Sequence, residues 1–159
     1  MVLLFLCTGN SCRSILAEAV FNHLAPAGWT AISAGSHPTG QVHPRALALL
    51  AHEGISTEGC YSKSWTDLPL AADVVLTVCS SAAGETCPAY LGPAVRSHWG
   101  VEDPAHATGT DAEIEAAFAK AYRILRARIE SLLELPLVEL QSDRARMKAE
   151  LDRIGTLSS

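Results

Sequence analysis

The sequence is short of positive charge, of long apolar runs and of paired metal-ligand spacings. Lys and Arg number 12 against 17 Asp and Glu, for a net charge of −5. A nucleic acid is therefore not an expected partner, because it demands a basic face. An anionic substrate would need a positive field built locally. No apolar stretch approaches the roughly 20 residues that a membrane-spanning helix needs. The opening MVLLFLCTG has a short apolar run with no basic residue ahead of it. It leads straight into a polar, Gly-containing loop, so it reads as a buried strand and not as a secretory signal. The expected location is the cytoplasm. His23, His37, His43, His52, His98 and His106 are scattered without ligand spacing. Internal repeats, low-complexity tracts and linkers are missing too, and 159 residues suit one domain. Five cysteines in such a chain are not expected to form a disulfide framework. Metal binding, catalysis and redox work are the competing uses.

What is present alternates between strands and helices. Val2 to Leu6 is a continuous apolar run, as expected of a strand buried on both faces. Ile15 to Leu24 reads as a helix, and Trp29 to Ser33 as a second strand closed by Ala34-Gly35. His43-Pro44 opens a helix that Gly54 ends. Asp73 to Val78 and Val95 to Trp99 are two further strands. Thr110-Asp111-Ala112-Glu113 has the form of a capping box. It starts a long helix with Ile114, Phe118, Ala121, Leu125, Ile129 and Leu132 near one face, and Pro136 stops it. The alternation predicts parallel βαβ units in a three-layer α/β/α domain with a mostly four-stranded parallel sheet. Ser142 to Ile154 is expected to be a short helix packed loosely on the domain, with Met147, Leu151 and Ile154 on one side.

The most informative segment is Cys7-Thr8-Gly9-Asn10-Ser11-Cys12-Arg13-Ser14, a Cys-x5-Arg-Ser pattern between a strand and a helix. Such a turn aims successive backbone N–H groups into one concavity at a helix N-terminus, a ready site for a tetrahedral oxyanion. Thr8 to Ser14 are the expected oxyanion-binding residues. Gly9 permits close approach of the backbone. Arg13 can grip two oxygens with its planar fork. The same dipole and cation should lower the pKa of Cys7 and hold it as the reactive thiolate, with Ser14 as a hydrogen-bond donor to it. Cys12 is expected to pack behind the loop.

Cys79 also follows a buried strand. In an open α/β sheet, sites gather outside the C-terminal strand ends, so Cys79 and Cys7 are expected neighbours. Cys87 lies beyond Ser80 to Thr86, a small and polar stretch suited to refolding while thiols change partners. The bland alternative is one buried cysteine and one incidental cysteine. Zinc is a weak rival, because the spacing is too wide and no histidine sits near. Cys60 reads as incidental. Asp103, in Glu102-Asp103-Pro104, either opens a turn or carries chemistry.

CTGNSCRS resembles the phosphate loop of the low-molecular-weight protein tyrosine phosphatases and of the arsenate reductases that share their fold. The resemblance continues through SAGSHPTGQVHPRAL (Ser33 to Leu47) and HWGVEDPA (His98 to Ala105), and spans Val2 to about Leu135. It implies a phosphatase-fold domain over residues 1–136 and a helical C-terminal extension over 137–159. It implies Asp103 as general acid. The Val-Val-Leu-Thr-Val-Cys strand and Cys87-Pro88 resemble the thioredoxin-coupled arsenate reductases. The phosphatases carry Asp-Pro-Tyr where this chain has Asp103-Pro104-Ala105.

On that resemblance Cys7, Arg13, Cys79, Cys87 and Asp103 are the catalytic set, and arsenate is the substrate. A thioredoxin-like or glutaredoxin-like protein is the reductant, no cofactor is required, and the protein is a monomer or weak dimer. A phosphatase, or a thiol protein that only binds arsenic, are the rival readings. Some family members hold a potassium ion behind the loop. Asn10, Glu18 and Ser33 match part of that site, but Lys63 stands where an acid would be expected, so no metal is predicted.

Overall fold

The computed structural model describes residues 1–68, 71–79 and 94–157. Its frame is a sheet of four strands: β1 (Val2–Leu6), β2 (Thr30–Ala34), β3 (Val74–Thr77) and β4 (Val95–His98). Their order is β2-β1-β3-β4, and every pairing is parallel. All four residues of β3 and four of the five in β1 are buried. A strand buried without alternation needs cover on both faces, the three-layer α/β/α arrangement that its apolar sequence implies.

The helices are α1 (Arg13–Leu24), α2 (Pro44–His52), α3 (Asp111–Leu133), α4 (Leu137–Gln141) and α5 (Arg144–Ile154), with a 3-10 turn at Pro104–His106. Helix α1 begins at Arg13, two residues before the apolar pattern, with Cys12 as its non-helical N-cap. Its residues Ser14 to Phe21 are all buried, so it is a core helix and not an amphipathic one. Proline at the first position of α2 costs nothing, since that N–H lacks a helical partner anyway. Thr110 caps α3 by accepting from the Glu113 amide at 3.2 Å. The expected strand and helix boundaries hold to within a residue or two.

The C-terminal helix is not loosely packed. Met147, Leu151 and Ile154 are buried, and Trp99 Nε1 on the far side donates to the Leu151 carbonyl at 2.9 Å. A narrow apolar stripe thus closes over the end of edge strand β4.

The strand order sets the place of the site. β1 has β2 on one side and β3 on the other, so the winding direction reverses between β1 and β3. Leu6 pairs with Thr77 in the last register step, and Val78 N donates to Leu6 O at 2.9 Å. Cys7 and Cys79 follow immediately, at the switch point where open α/β sheets place their ligands.

Candidate active site

The loop from Cys7 to Arg13 is held from behind. The carbonyls of Thr8, Gly9 and Ser11 accept hydrogen bonds from the amides of His37, Thr39 and His43 at 2.9, 3.0 and 2.9 Å. Those three hydrogen bonds are the physical reason that the Ser36 to His43 segment accompanies the loop in the sequence. On the other side of the loop, the Thr8 amide donates to Cys79 Sγ at 3.4 Å and the Gly9 amide faces the Cys7 sulfur. Gly35 makes the approach possible: a Cβ there would lie 2.7 Å from the Cys7 carbonyl oxygen. Asn10 turns the loop with a positive φ of 44°, a conformation that Asn tolerates better than most residues. Its amide nitrogen donates to Ser14 Oγ at 2.8 Å and Ser33 Oγ at 2.9 Å, and its oxygen accepts from the Lys63 amide at 2.9 Å. Ser14 Oγ thus serves Asn10 as an acceptor.

Arg13 opens α1 and reaches across to the loop after β4. Nη1 donates to the Val101 carbonyl at 2.9 Å, and Nη2 lies 3.3 Å from Asp103 Oδ2. Nε is buried with no hydrogen-bond partner among the described residues. Buried donors are nearly always satisfied, so an orphan at this position marks a place for an acceptor. Asp103 divides its two oxygens. Oδ1 accepts from the Ala105 amide at 3.0 Å and caps the 3-10 turn, while Oδ2 faces Arg13. Opening a turn and facing Arg13 are compatible in one carboxylate. Glu102 is exposed. A cavity of about 600 Å³ lies here, lined by Arg13, Cys79, His98, Val101, Asp103 and His106 among others.

Cys7, Cys12, Cys60 and Cys79 are all thiols, and three of them are buried. Cys7 and Cys79 are hydrogen-bonded through their side chains. Cys79 Sγ also accepts from the Thr8 amide at 3.4 Å and lies 3.5 Å from Thr8 Oγ1. The expected lowering of the Cys7 pKa is not what this geometry gives. The hydrogen bond with Cys79 pushes the Cys7 thiol up, burial pushes it further, and Arg13 and the Gly9 amide only partly oppose them. Arg13 is also shared with Asp103, which weakens its pull on the sulfur. Cys12 is pushed up to about 12, by burial first and then by Asp103. Its buried side chain agrees with packing behind the loop, while its backbone forms the N-cap of α1. Cys87 and the Ser80 to Thr86 stretch lie outside the described residues.

Residues 2–146 match the low molecular weight phosphotyrosine protein phosphatase family. The chain belongs to this family. Among relatives of this phosphatase family, an arsenate reductase of Halalkalibacterium halodurans is 39% identical over 134 residues, which is 84% of this chain and 95% of that protein. An arsenate reductase from Archaeoglobus fulgidus superposes with a TM-score of 0.69 at 28% identity, covering 84% of this chain and 99% of the other. A thioredoxin-dependent arsenate reductase from Corynebacterium glutamicum superposes at 0.62 and 29% identity, covering 88% of this chain and 62% of the other.

The family's cation position is filled differently here. Ser33 Oγ donates to Glu18 Oε1 at 2.9 Å, and Cys60 Sγ donates to Glu18 Oε2 at 3.0 Å. Lys63 Nζ stands 3.7 Å from Glu18 Oε1 and donates to the Tyr61 carbonyl at 3.1 Å. These residues do not fit a metal ion, because the lysine ammonium already occupies the carboxylate. Cys60, read as incidental, belongs to this network. Sequence reasoning also missed Gly35 and the Thr8–Cys79 contact. The first had a signal in its place directly after a strand that pairs with β1, and the second had none.

Proposed function

We propose that this protein reduces arsenate to arsenite. The observation that carries the reading is the direct contact of two thiols, Cys7 and Cys79, at adjacent strand ends beside Arg13 and Asp103. Hydrolysis of a phosphate ester needs one such thiol. Reduction needs at least two, since the two electrons that pass to arsenic leave a disulfide behind.

In the proposed sequence, arsenate enters the loop and its oxygens take the loop amides and Arg13 Nε as donors. Its arrival displaces the Cys7–Cys79 hydrogen bond, and Cys7 becomes the nucleophile. Cys7 sulfur bonds to arsenic as one oxygen leaves, and Asp103 supplies the proton that lets it go as water. Cys79 thiolate then attacks Cys7 sulfur. The sulfur–arsenic electron pair stays on arsenic, which departs as arsenite, and a Cys7–Cys79 disulfide remains. Cys87 attacks Cys79, returning Cys7 as thiolate. A thioredoxin-like or glutaredoxin-like dithiol reduces the Cys79–Cys87 bond. The reading puts the protein in the cytoplasm as a monomer or weak dimer. Among the described residues no helix is long and apolar enough to cross a membrane.

The test is arsenate-dependent NADPH oxidation, coupled through thioredoxin and separately through glutaredoxin. Wild type should turn over with at least one of them. Cys7→Ser should be inert, Cys79→Ser should form no intramolecular disulfide, and Cys87→Ser should stop after one arsenite with Cys7–Cys79 trapped. Asp103→Asn should slow turnover by roughly a hundredfold, the usual size of a general-acid effect. Full activity of Cys79→Ser would discard the relay and favour a phosphatase, or a reductase served by an external thiol.

A further inference from the structure

Arg128 is a cation in the wrong company. It sits on the face of α3 that also buries Leu125, Ile129 and Leu132, and is itself only 5% exposed. No carboxylate pairs with it among the described residues. Burial accordingly pulls its pKa below the usual arginine value. An apolar side chain would satisfy that face better, so the guanidinium must serve its polar contacts. Both contacts are backbone carbonyls: Nε donates to Leu157 O at 2.9 Å, and Nη1 to Gly100 O at 3.2 Å.

The Gly100–Val101 peptide is the base of the acid-bearing loop. On one edge its carbonyl accepts from Arg128. On the other its amide donates to Val78 O at 3.0 Å. A peptide plane held on both edges cannot rotate. The next carbonyl, that of Val101, accepts from Arg13, and Asp103 follows two residues on. The C-terminal segment is clamped to the same place. Trp99 Nε1 is bound to Leu151 O, Ser97 Oγ donates to Asp152 Oδ1 at 2.5 Å, and Gly155 packs directly on the His98 carbonyl.

We propose that Arg128 is a positioning residue for Asp103. In this reading the C-terminal segment after Pro136 is a brace, which Arg128 couples to the acid loop. The proposal rests on the reading of Asp103 as the proton donor. It gives the extension a part in the reaction without any contact with substrate.

The test is a double-mutant cycle, read as the single-turnover rate of Cys7–Cys79 disulfide formation after arsenate is mixed with the full-length protein. Arg128→Met keeps the bulk of the side chain and removes both hydrogen bonds. The rate should fall by about tenfold to a hundredfold, the range that a misplaced group costs, with KM for arsenate little changed. In an Asp103→Asn background the same substitution should have almost no further effect. Gly155→Ala is the second variant. Its φ of −60° accepts alanine, yet the added Cβ would lie 2.6 Å from His98 O and 2.9 Å from Trp99 Cδ1. It should lift the brace and show the same dependence on Asp103. If Asp103→Asn is slow but Arg128→Met and Gly155→Ala slow both backgrounds equally, the positioning role is overturned while the acid reading stands. If Asp103→Asn reacts at the wild-type rate, the acid reading falls and takes the proposal with it.

Discussion

At the scale of single residues, the pairing of Cys7 with Cys79 governs reactivity. A thiol that hydrogen-bonds to a second buried thiol is held protonated, so the resting site is guarded and not poised. Removing the neighbour should reverse that. Cys79→Ala should lower the Cys7 pKa and speed its alkylation by iodoacetamide at pH 7 by roughly tenfold, the equivalent of one pKa unit. An unchanged or slower rate would mean that burial alone controls the sulfur. This is also where the sequence was hardest to read. Cys-x5-Arg-Ser announces a loop, a cation and a helix dipole, all local. It does not announce that Asp103 shares the cation, a contact between residues far apart in the chain; that Cys79 lies beside Cys7 followed instead from the two strand ends. The loop, its arginine and the helix start were legible in residues 7–14, while their electrostatic state was set elsewhere.

At the scale of elements, the loop is tied to α1 and β2 by one buried network of Asn10, Ser14, Glu18, Ser33 and Lys63. The Lys63 and Glu18 side chains are 4% and 6% exposed. Lys63→Met should strand the Glu18 carboxylate in the core and cost about 3–5 kcal/mol, whereas the double change with Glu18→Gln should recover most of it. Urea unfolding of the four proteins checks this, and equal losses in single and double variants would refute a coupled pair. Elements themselves were largely legible. Continuous apolar runs gave the strands, Pro44 and the Thr110 cap gave helix starts, and strand alternation with helices gave the parallel sheet. The packing of α5 was not, because three apolar residues on one side do not reveal whether a neighbour is waiting for them. Trp99 and the end of β4 are that neighbour.

At the scale of the whole molecule, two thiols held protonated by their surroundings tie stability to alkaline pH. Cys12 and Cys60 are both pushed up to about 12 from an ordinary 9.0, mainly by burial. Above pH 9 the unfolded chain releases these protons and the folded chain keeps them. Their contribution is therefore complete below about pH 9 and is lost as pH rises from there toward 12. Cys12, the buried one of the two, should steepen the loss by up to about 1.4 kcal/mol per pH unit, and Cys60, partly exposed and screened by solvent, by less. Denaturation midpoints measured from pH 8 to pH 11 should fall, and Cys12→Ala should flatten the fall. A pH-independent midpoint over that range would contradict the raised pKa of these thiols.

The strand order has a consequence for how the molecule comes into being. Thr8 and Cys79 meet across 71 residues of chain, and Arg13 meets Val101 across 88. Neither contact can reward the chain until β1 and β3 have closed a long loop, and such closure slows folding. During synthesis, therefore, Cys7 leaves the ribosome long before Cys79 does. Thr8 and Arg13 meet their partners only after residues 79 and 101 have been made.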